Sequence, residues 1–210
     1  MKRIANLKSS LIILSILLTW IGVEGISSAA FASTVIAHID AETIRPSNMI
    51  TRIPKQVEGI LRRQKSLARC FHGSKRGSHL NLTGEDQFLA RSVSLRNQKP
   101  DGLIVAPGSL ACGMGADIFH FWIFEHHGQR YRLVLNTYAL VVDVLQRRIH
   151  GYHLIRITAH SANTEWRSIY EFTNGKGYMP RQCSQRKWSG GVPEHWERIR
   201  CPTSNSKPYR

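Results

Sequence analysis

The sequence predicts an α+β fold, supported by disulfides: one N-terminal amphipathic helix packed on a mostly antiparallel sheet of about six to eight strands. Three observations predict it. Residues 55–69 carry an apolar stripe at helical spacing. From residue 87 onward the apolar residues alternate or come in short β-branched and aromatic blocks. Those blocks are joined by short connections without helical crossovers, which favours antiparallel over parallel pairing.

The chain opens with Lys2, Arg3 and Lys8, followed by an apolar run from Leu11 to Val23 and the A-x-A pattern Ala30-Phe31-Ala32. This reads as a secretory signal over 1–32, cut before Ser33. The run of about 13 residues falls short of the roughly 20 that a spanning helix needs. No later segment is long and apolar enough to span, and no cysteine near the cut offers a lipid attachment point. The expectation is an exported protein, periplasmic or extracellular, with no integral membrane span after cleavage. About 178 residues then remain, enough for one domain with a real core. Residues 33–53 read as a mobile leader, 54–201 as a single domain and 202–210 as a flexible tail.

Within the domain, Pro54 suits a helix start. Val57, Ile60, Leu61 and Ala68 cluster on one helical face, with Lys55, Arg62, Lys65 and Arg69 opposite. Residues 71–86 read as loop. Strands follow at 87–95 and 103–105, with a glycine-rich turn at 111–116. The stretch 117–125 is apolar on both faces, with Phe119, Phe121 and Ile123 against Ile118, Trp122 and Phe124, so it is a central strand covered on both sides. Further strands are expected at 130–136, 140–145 and 152–160. Along 165–173, Trp166, Tyr170 and Phe172 share one face, and Glu165, Arg167 and Glu171 the other. Asn174-Gly175-Lys176-Gly177 is a hairpin turn signal, and a return strand runs from Tyr178 toward Cys183. The rest, to Cys201, reads as loop.

Cysteines stand at 70, 112, 183 and 201, and an even number in an exported chain favours disulfides. Three pairings are possible; proximity along the chain favours Cys183 with Cys201 and Cys70 with Cys112. No close cysteine pair offers a zinc site, and no metal or cofactor is expected.

Net charge is the largest compositional outlier, at +15. Residues 1–32 hold three Lys/Arg and one acid, a net +2, which leaves +13 beyond them. Such a balance favours an acidic partner: nucleic acid, lipopolysaccharide, teichoic acid or an acidic protein. The candidate polyanion-binding residues are the helix stripe Arg62, Lys65 and Arg69, with Arg181, Arg186, Lys187, Arg198 and Arg200 around the C-terminal cysteine loop near Trp188. Trp166, Tyr170 and Phe172 alternate as base-stacking residues would, and equally as residues buried in a core.

Catalytic signals are sparse. His120, His126, His127, His150, His153 and His160 invite attention, but Asp101, Asp117, Asp143, Glu165 and Glu171 are scattered along the chain. No G-x-S-x-G elbow is present. His160 with Glu165 is the pair through which a nuclease-like hydrolase could work, and no catalytic residue is assigned. The leading expectation is a non-enzymatic exported binding module for an anionic surface, polymer or protein. A hydrolase with a cross-strand His–acid site and a structural envelope protein are the alternatives.

The middle of the chain carries a recognisable order of motifs. Ala111-Cys112-Gly113-Met114-Gly115-Ala116 precedes Phe121-Trp122-Ile123-Phe124 and Tyr131-Arg132-Leu133-Val134-Leu135. Gly151-Tyr152-His153-Leu154, His160-Ser161-Ala162 and Tyr170-Glu171-Phe172-Thr173-Asn174-Gly175 follow. Over roughly Gln87 to Cys183 this resembles a group of exported bacterial domains with "GYpDL" and "YrFdGxxY" strands, distantly similar to FG-GAP or VCBS repeats. The resemblance implies a fold and an export route but no activity. The aspartate of "GYpDL" is replaced here by His153. The acidic loop Asn81-Leu82-Thr83-Gly84-Glu85-Asp86 lacks the regular aspartates of a calcium site, so none is expected.

Overall fold

A computed structural model describes residues 34–40, 53–64, 88–96, 98–107 and 119–202. In chain order these form β1 (Val35–Asp40), α1 (Lys55–Arg62), β2 (Phe88–Val93), β3 (Gly102–Pro107), β4 (Phe119–His127) and β5 (Arg130–Ala139). There follow β6 (Val141–Ile149), β7 (Tyr152–Ser161), β8 (Thr164–Thr173), β9 (Gly177–Ser189), β10 (Val192–Pro193) and β11 (Glu197–Ile199). The expected single sheet is two antiparallel sheets: four strands in the order β2-β3-β4-β5, and seven in which β1-β6-β7-β8-β9 lie side by side, with β10 and β11 both pairing β9.

The two-sided apolar character of β4 explains the layering. Phe121 and Ile123 join Ile104 and Ala106 in a core shared with Val142, Val144, Ile155, Ile157 and Phe172 of the larger sheet. Trp122 and Phe124 point the other way, with Phe88, Leu103 and Val105, and are covered by Val57 and Leu61 of α1. Burial of each large side chain contributes roughly 1.5–3 kcal/mol, so β4 is the hub of both layers. From β5 to β6 the chain passes between the sheets through a single residue, Leu140, whose N–H donates to the Thr158 carbonyl at 2.8 Å.

Several expectations are corrected. The fold is predominantly antiparallel β with one short helix among the described residues, rather than α+β. The helix spans two turns and stops at Arg62, because Arg62-Arg63-Gln64-Lys65 puts four polar residues where the apolar stripe needs its next member. Pro54 is the N-cap, in an extended conformation. Val35–Asp40, placed in the leader, is a strand that pairs antiparallel with β6. Its alternation of Val35, Ala37 and Ile39 with Ile36, His38 and Asp40 is the period-2 signal.

The C-terminal region is not loop-rich. β9 runs on to Ser189, and β11 returns beside it, with Arg198 opposite Ser184 and Ile199 opposite Cys183. This segment is polar on both faces, which hides strand periodicity. The Cys183–Cys201 disulfide is present, with Cα atoms 5.1 Å apart, within the usual range. It fastens the chain leaving β11 to β9.

The hairpin turn at Asn174–Gly177 is also as expected. Gly177 has φ +82°, and a Cβ there would collide with the Val134 carbonyl of β5, so only glycine lets the turn sit this close to the other sheet. The signal at 1–32, Lys65, Arg69, Cys70, Cys112, the 81–86 loop and the tail beyond Pro202 lie outside the described residues.

Candidate functional site: an arginine and tryptophan face

Strand alternation sends Ile155, Ile157 and Phe172 into the core, so Arg156, Arg167 and Glu165 project from the opposite face of the larger sheet. Register then fixes who stands beside whom. His38, Asp143, Arg156, Ile169 and Gln182 form one row across five strands. The next row holds Thr158, Arg167, Ser184 and Arg198, and the next His160, Glu165 and Arg186. Arg156 and Arg186 are thus each a diagonal neighbour of Arg167, roughly 7–8 Å away along the backbone.

Two carboxylates neutralise two of these arginines. Asp143, nearly fully buried, accepts from Arg156 Nε at 2.9 Å and Nη2 at 2.8 Å, and pairs with His38 Nδ1 at 2.6 Å. Glu165 accepts from Arg186 Nε at 2.6 Å and Nη2 at 2.5 Å. Arg167 has no carboxylate partner among the described residues, and its Nε is buried without a hydrogen bond. Burial, reinforced by the neighbouring Arg156 guanidinium, lowers its pKa from the ordinary arginine value.

Aromatic rings complete the face. The Arg167 guanidinium carbon lies 4.1 Å from the Trp196 ring centre, and that of Arg186 lies 4.7 Å from Trp196 and 5.3 Å from Trp188. The order Trp188–Arg186–Trp196–Arg167 is a ladder of alternating rings and cations, each contact worth roughly 0.5–1 kcal/mol at an exposed site. Trp188 remains 39 % exposed, so the ladder is open to solvent at one end.

The residues singled out from sequence are dispersed by this geometry. Among those in the described residues, Arg186 and Arg198 come to the face. Lys187 is exposed, but alternation sends it to the other side of β9. Arg181 sits at a bulge, tied to Glu171 at 2.6 Å. Arg200 is exposed just beyond β11. Arg62 lies on α1, on the far side of the sandwich, and is tied to Glu58 at 2.6 Å. The single polyanion surface joining the helix stripe to the C-terminal arginines is therefore not formed by the described residues. Sequence reading missed Arg156, Arg167, Trp196 and His38 as site members. The available signal was an arginine at the outward positions of consecutive strands.

Among the described residues the histidines do not converge. His120 is buried, stacked on Trp122 and Tyr138 and hydrogen-bonded to Asn136 Oδ1; burial lowers its pKa. His153 is also buried. Its Nδ1–H donates to the Leu145 carbonyl at 2.7 Å, and its Nε2 accepts from Arg148 Nε at 2.9 Å, which fixes the neutral tautomer. Burial is again the main cause of its lowered pKa. His150 is exposed in a turn, 3.5 Å from Glu171. His160 stands opposite Glu165, whose carboxylate Arg186 already holds. A groove of about 620 Å³ runs between β1 and β2, lined by Ile36, Arg91, Arg148 and His153 among others, with no acid.

Other charges close on themselves. Glu125, fully buried, accepts from the Tyr152 hydroxyl at 2.6 Å, from Arg132 Nη2 at 2.6 Å and from Arg96 Nε at 3.3 Å. Asp101 accepts from the Leu95 and Arg96 amides at 2.6 and 3.2 Å and from Arg96 Nε at 3.1 Å. The chain matches no protein-family model, no curated protein and no solved structure.

Proposed function

We propose that this protein is an exported, non-enzymatic module that binds an anionic polymer across the outer face of its larger sheet. The observation that carries the reading is the gathering of Arg156, Arg167, Arg186 and Arg198 on one face, with Trp188 and Trp196 stacked among them. The net charge of +13 beyond residues 1–32 supplies a long-range field that draws a polyanion in. The signal pattern at 1–32 and the disulfide support export, and cleavage before Ser33 predicts that the exported protein has Ser33 as its first residue.

The test is retention of the purified protein on heparin and on short DNA as salt is varied. Each anion neutralised by an arginine releases counterions, so four engaged arginines give a log–log salt slope near −3. Retention well above physiological salt, lost together with Arg167 and Arg198, supports the reading. Elution at low salt with a shallow slope sinks it, and leaves a specific protein partner or a structural role.

A further inference from the structure

We propose that the groove between β1 and β2 is a second binding site, for a small amphipathic organic anion: one carboxylate or phosphate group on an apolar body. No residue of the arginine and tryptophan face lines this groove. The inference therefore stands whether or not that face binds a polymer. The groove measures about 620 Å³, within the roughly 300–1,000 Å³ of small-molecule pockets.

The head group follows from the charges. Among the described residues that line the groove, Arg91 and Arg148 are charged and none is an acid. Both guanidinium groups are held by neutral acceptors. Arg148 Nε donates to His153 Nε2 at 2.9 Å, and Arg91 Nη1 donates to the His38 carbonyl at 2.7 Å. A neutral acceptor orients a guanidinium without cancelling its charge. Arg148 keeps the Nη1 and Nη2 donors and Arg91 keeps Nε and Nη2, each pair a fork that suits an oxyanion. The Arg148 anchor is itself fixed. His153 Nδ1–H donates to the Leu145 carbonyl at 2.7 Å, and the His153 amide donates to the Leu95 carbonyl at 2.8 Å. Asp101 lies close enough to raise the His153 pKa slightly against the larger effect of burial, but Arg96 and two backbone amides already hold its carboxylate.

The apolar body follows from the strands. Register breaks between Val35 and Ala37 in β1, and between Val144 and Arg148 in the facing β6. Such bulges re-aim side chains and are common beside binding sites. Ile36, Gln146 and Arg148 sit in or at the end of these stretches, and all three line the groove. Ile36 is left 45 % exposed. With Ala37, Val93 and Pro100 it gives the groove an apolar wall, which an inorganic anion would leave uncovered.

The experiment is titration calorimetry at physiological salt with octanoate, octyl phosphate, octanol and inorganic phosphate, all below micellar concentrations. Wild type should bind one or both octyl anions saturably at one site, and those two arms say which head group is preferred. Octanol and inorganic phosphate should each bind at least about tenfold more weakly. Arg148→Gln and Arg91→Gln should each weaken the octyl anion about five- to fiftyfold, and Ile36→Ser about three- to tenfold. Lys187→Gln, which removes an exposed charge outside the groove, should change it less than about twofold. In the wild type, amide shifts on adding the octyl anion should concentrate at Ile36, Ser94 and Gln146, a measurement that needs no variant to fold. Inorganic phosphate binding as tightly as octyl phosphate, or octanol as tightly as octanoate, overturns the amphipathic ligand. Shifts that fall elsewhere, or arginine variants that bind like Lys187→Gln, overturn the groove as the site. Failure of both octyl anions to bind overturns the proposal and leaves the polymer reading, which rests on heparin retention, intact.

Discussion

Two regions of this molecule handle buried charge in opposite ways. Where β4, β5, β7 and the β2–β3 connection meet, Glu125 and Asp101 are surrounded by Arg96, Arg132, the Tyr152 hydroxyl and two backbone amides. Tyr152 in turn stacks on Phe172 with ring centres 3.7 Å apart. Because Glu125 belongs to the smaller sheet and Tyr152 to the larger, this network locks the two layers together. On the outer face of the larger sheet, Arg156 and Arg186 are balanced and Arg167 is not. A closed network maintains the fold. The open one leaves a cation on the outer face with no carboxylate paired to it among the described residues.

The sharpest way to break this comparison is to open the lock. Glu125→Ala removes the shared acceptor and leaves the Arg132 guanidinium and the Tyr152 hydroxyl without it, while Arg96 keeps Asp101. Loss of one partner from a buried charge cluster costs about 3–5 kcal/mol. Urea denaturation should therefore show the midpoint falling steeply. A change under about 1 kcal/mol would mean that water replaces the carboxylate and that the network is not a lock.

The next effect belongs to the disulfide. Cys183 and Cys201 are 18 residues apart, and closing a loop of that size restricts the unfolded chain by about 3 kcal/mol. Cys183→Ser with Cys201→Ser should lower stability by up to that amount. It should also loosen β11, and with it Arg198 and Trp196, so that salt-resistant heparin retention falls along with stability. Retention that survives intact would separate β11 from the binding face.

Acid should act on the histidine sites as a slope. His120 and His153 are held neutral, and burial lowers both pKa values in the folded protein. Below the unfolded-state value of about 6.5, the unfolded chain takes up protons that the folded one refuses. Stability is then full above that pH and declines as pH falls below it. Thermal midpoints measured from neutral pH downward should show this decline, and His153→Gln should flatten part of it. An unchanged slope in that variant would assign the acid sensitivity to other groups.

Legibility in the sequence followed the physics of each region. β4 and β8 were readable because burial on one or both faces writes a period-2 pattern in large apolar residues, and the Gly177 turn because a positive φ demands glycine. Cys183–Cys201 followed from proximity along the chain. β11 and the end of β9 were not readable, since a strand polar on both faces carries no such pattern. The site was only half readable for a related reason. Arg186 and Arg198 are close along the chain, whereas Arg156 and Arg167 reach them through strand register, which depends on bulges such as those between Val144 and Arg148 and between Ile169 and Tyr170. Of the helix stripe, Arg62 lies across the sandwich from the arginine face.

The smallest expected effect is the most telling. Arg167 is half-buried and Arg132 exposed, so on burial alone Arg167 should tolerate replacement the less well. Their surroundings differ: Arg132 holds Glu125 at 2.6 Å, and Arg167 holds no carboxylate. Arg132→Gln should destabilise by about 1.5–3 kcal/mol, as loss of a charge-assisted hydrogen bond does. Arg167→Gln should leave the ligand-free protein within about 0.5 kcal/mol of wild type, because the repulsion removed from Arg156 and Arg186 offsets the lost contact with Trp196. Thermal denaturation of both variants without ligand makes the measurement. If Arg167→Gln destabilises as strongly as Arg132→Gln, the ring contact holds the β9–β11 edge together and Arg167 serves the fold. If it does not, the outer face carries a cation that the fold does not require.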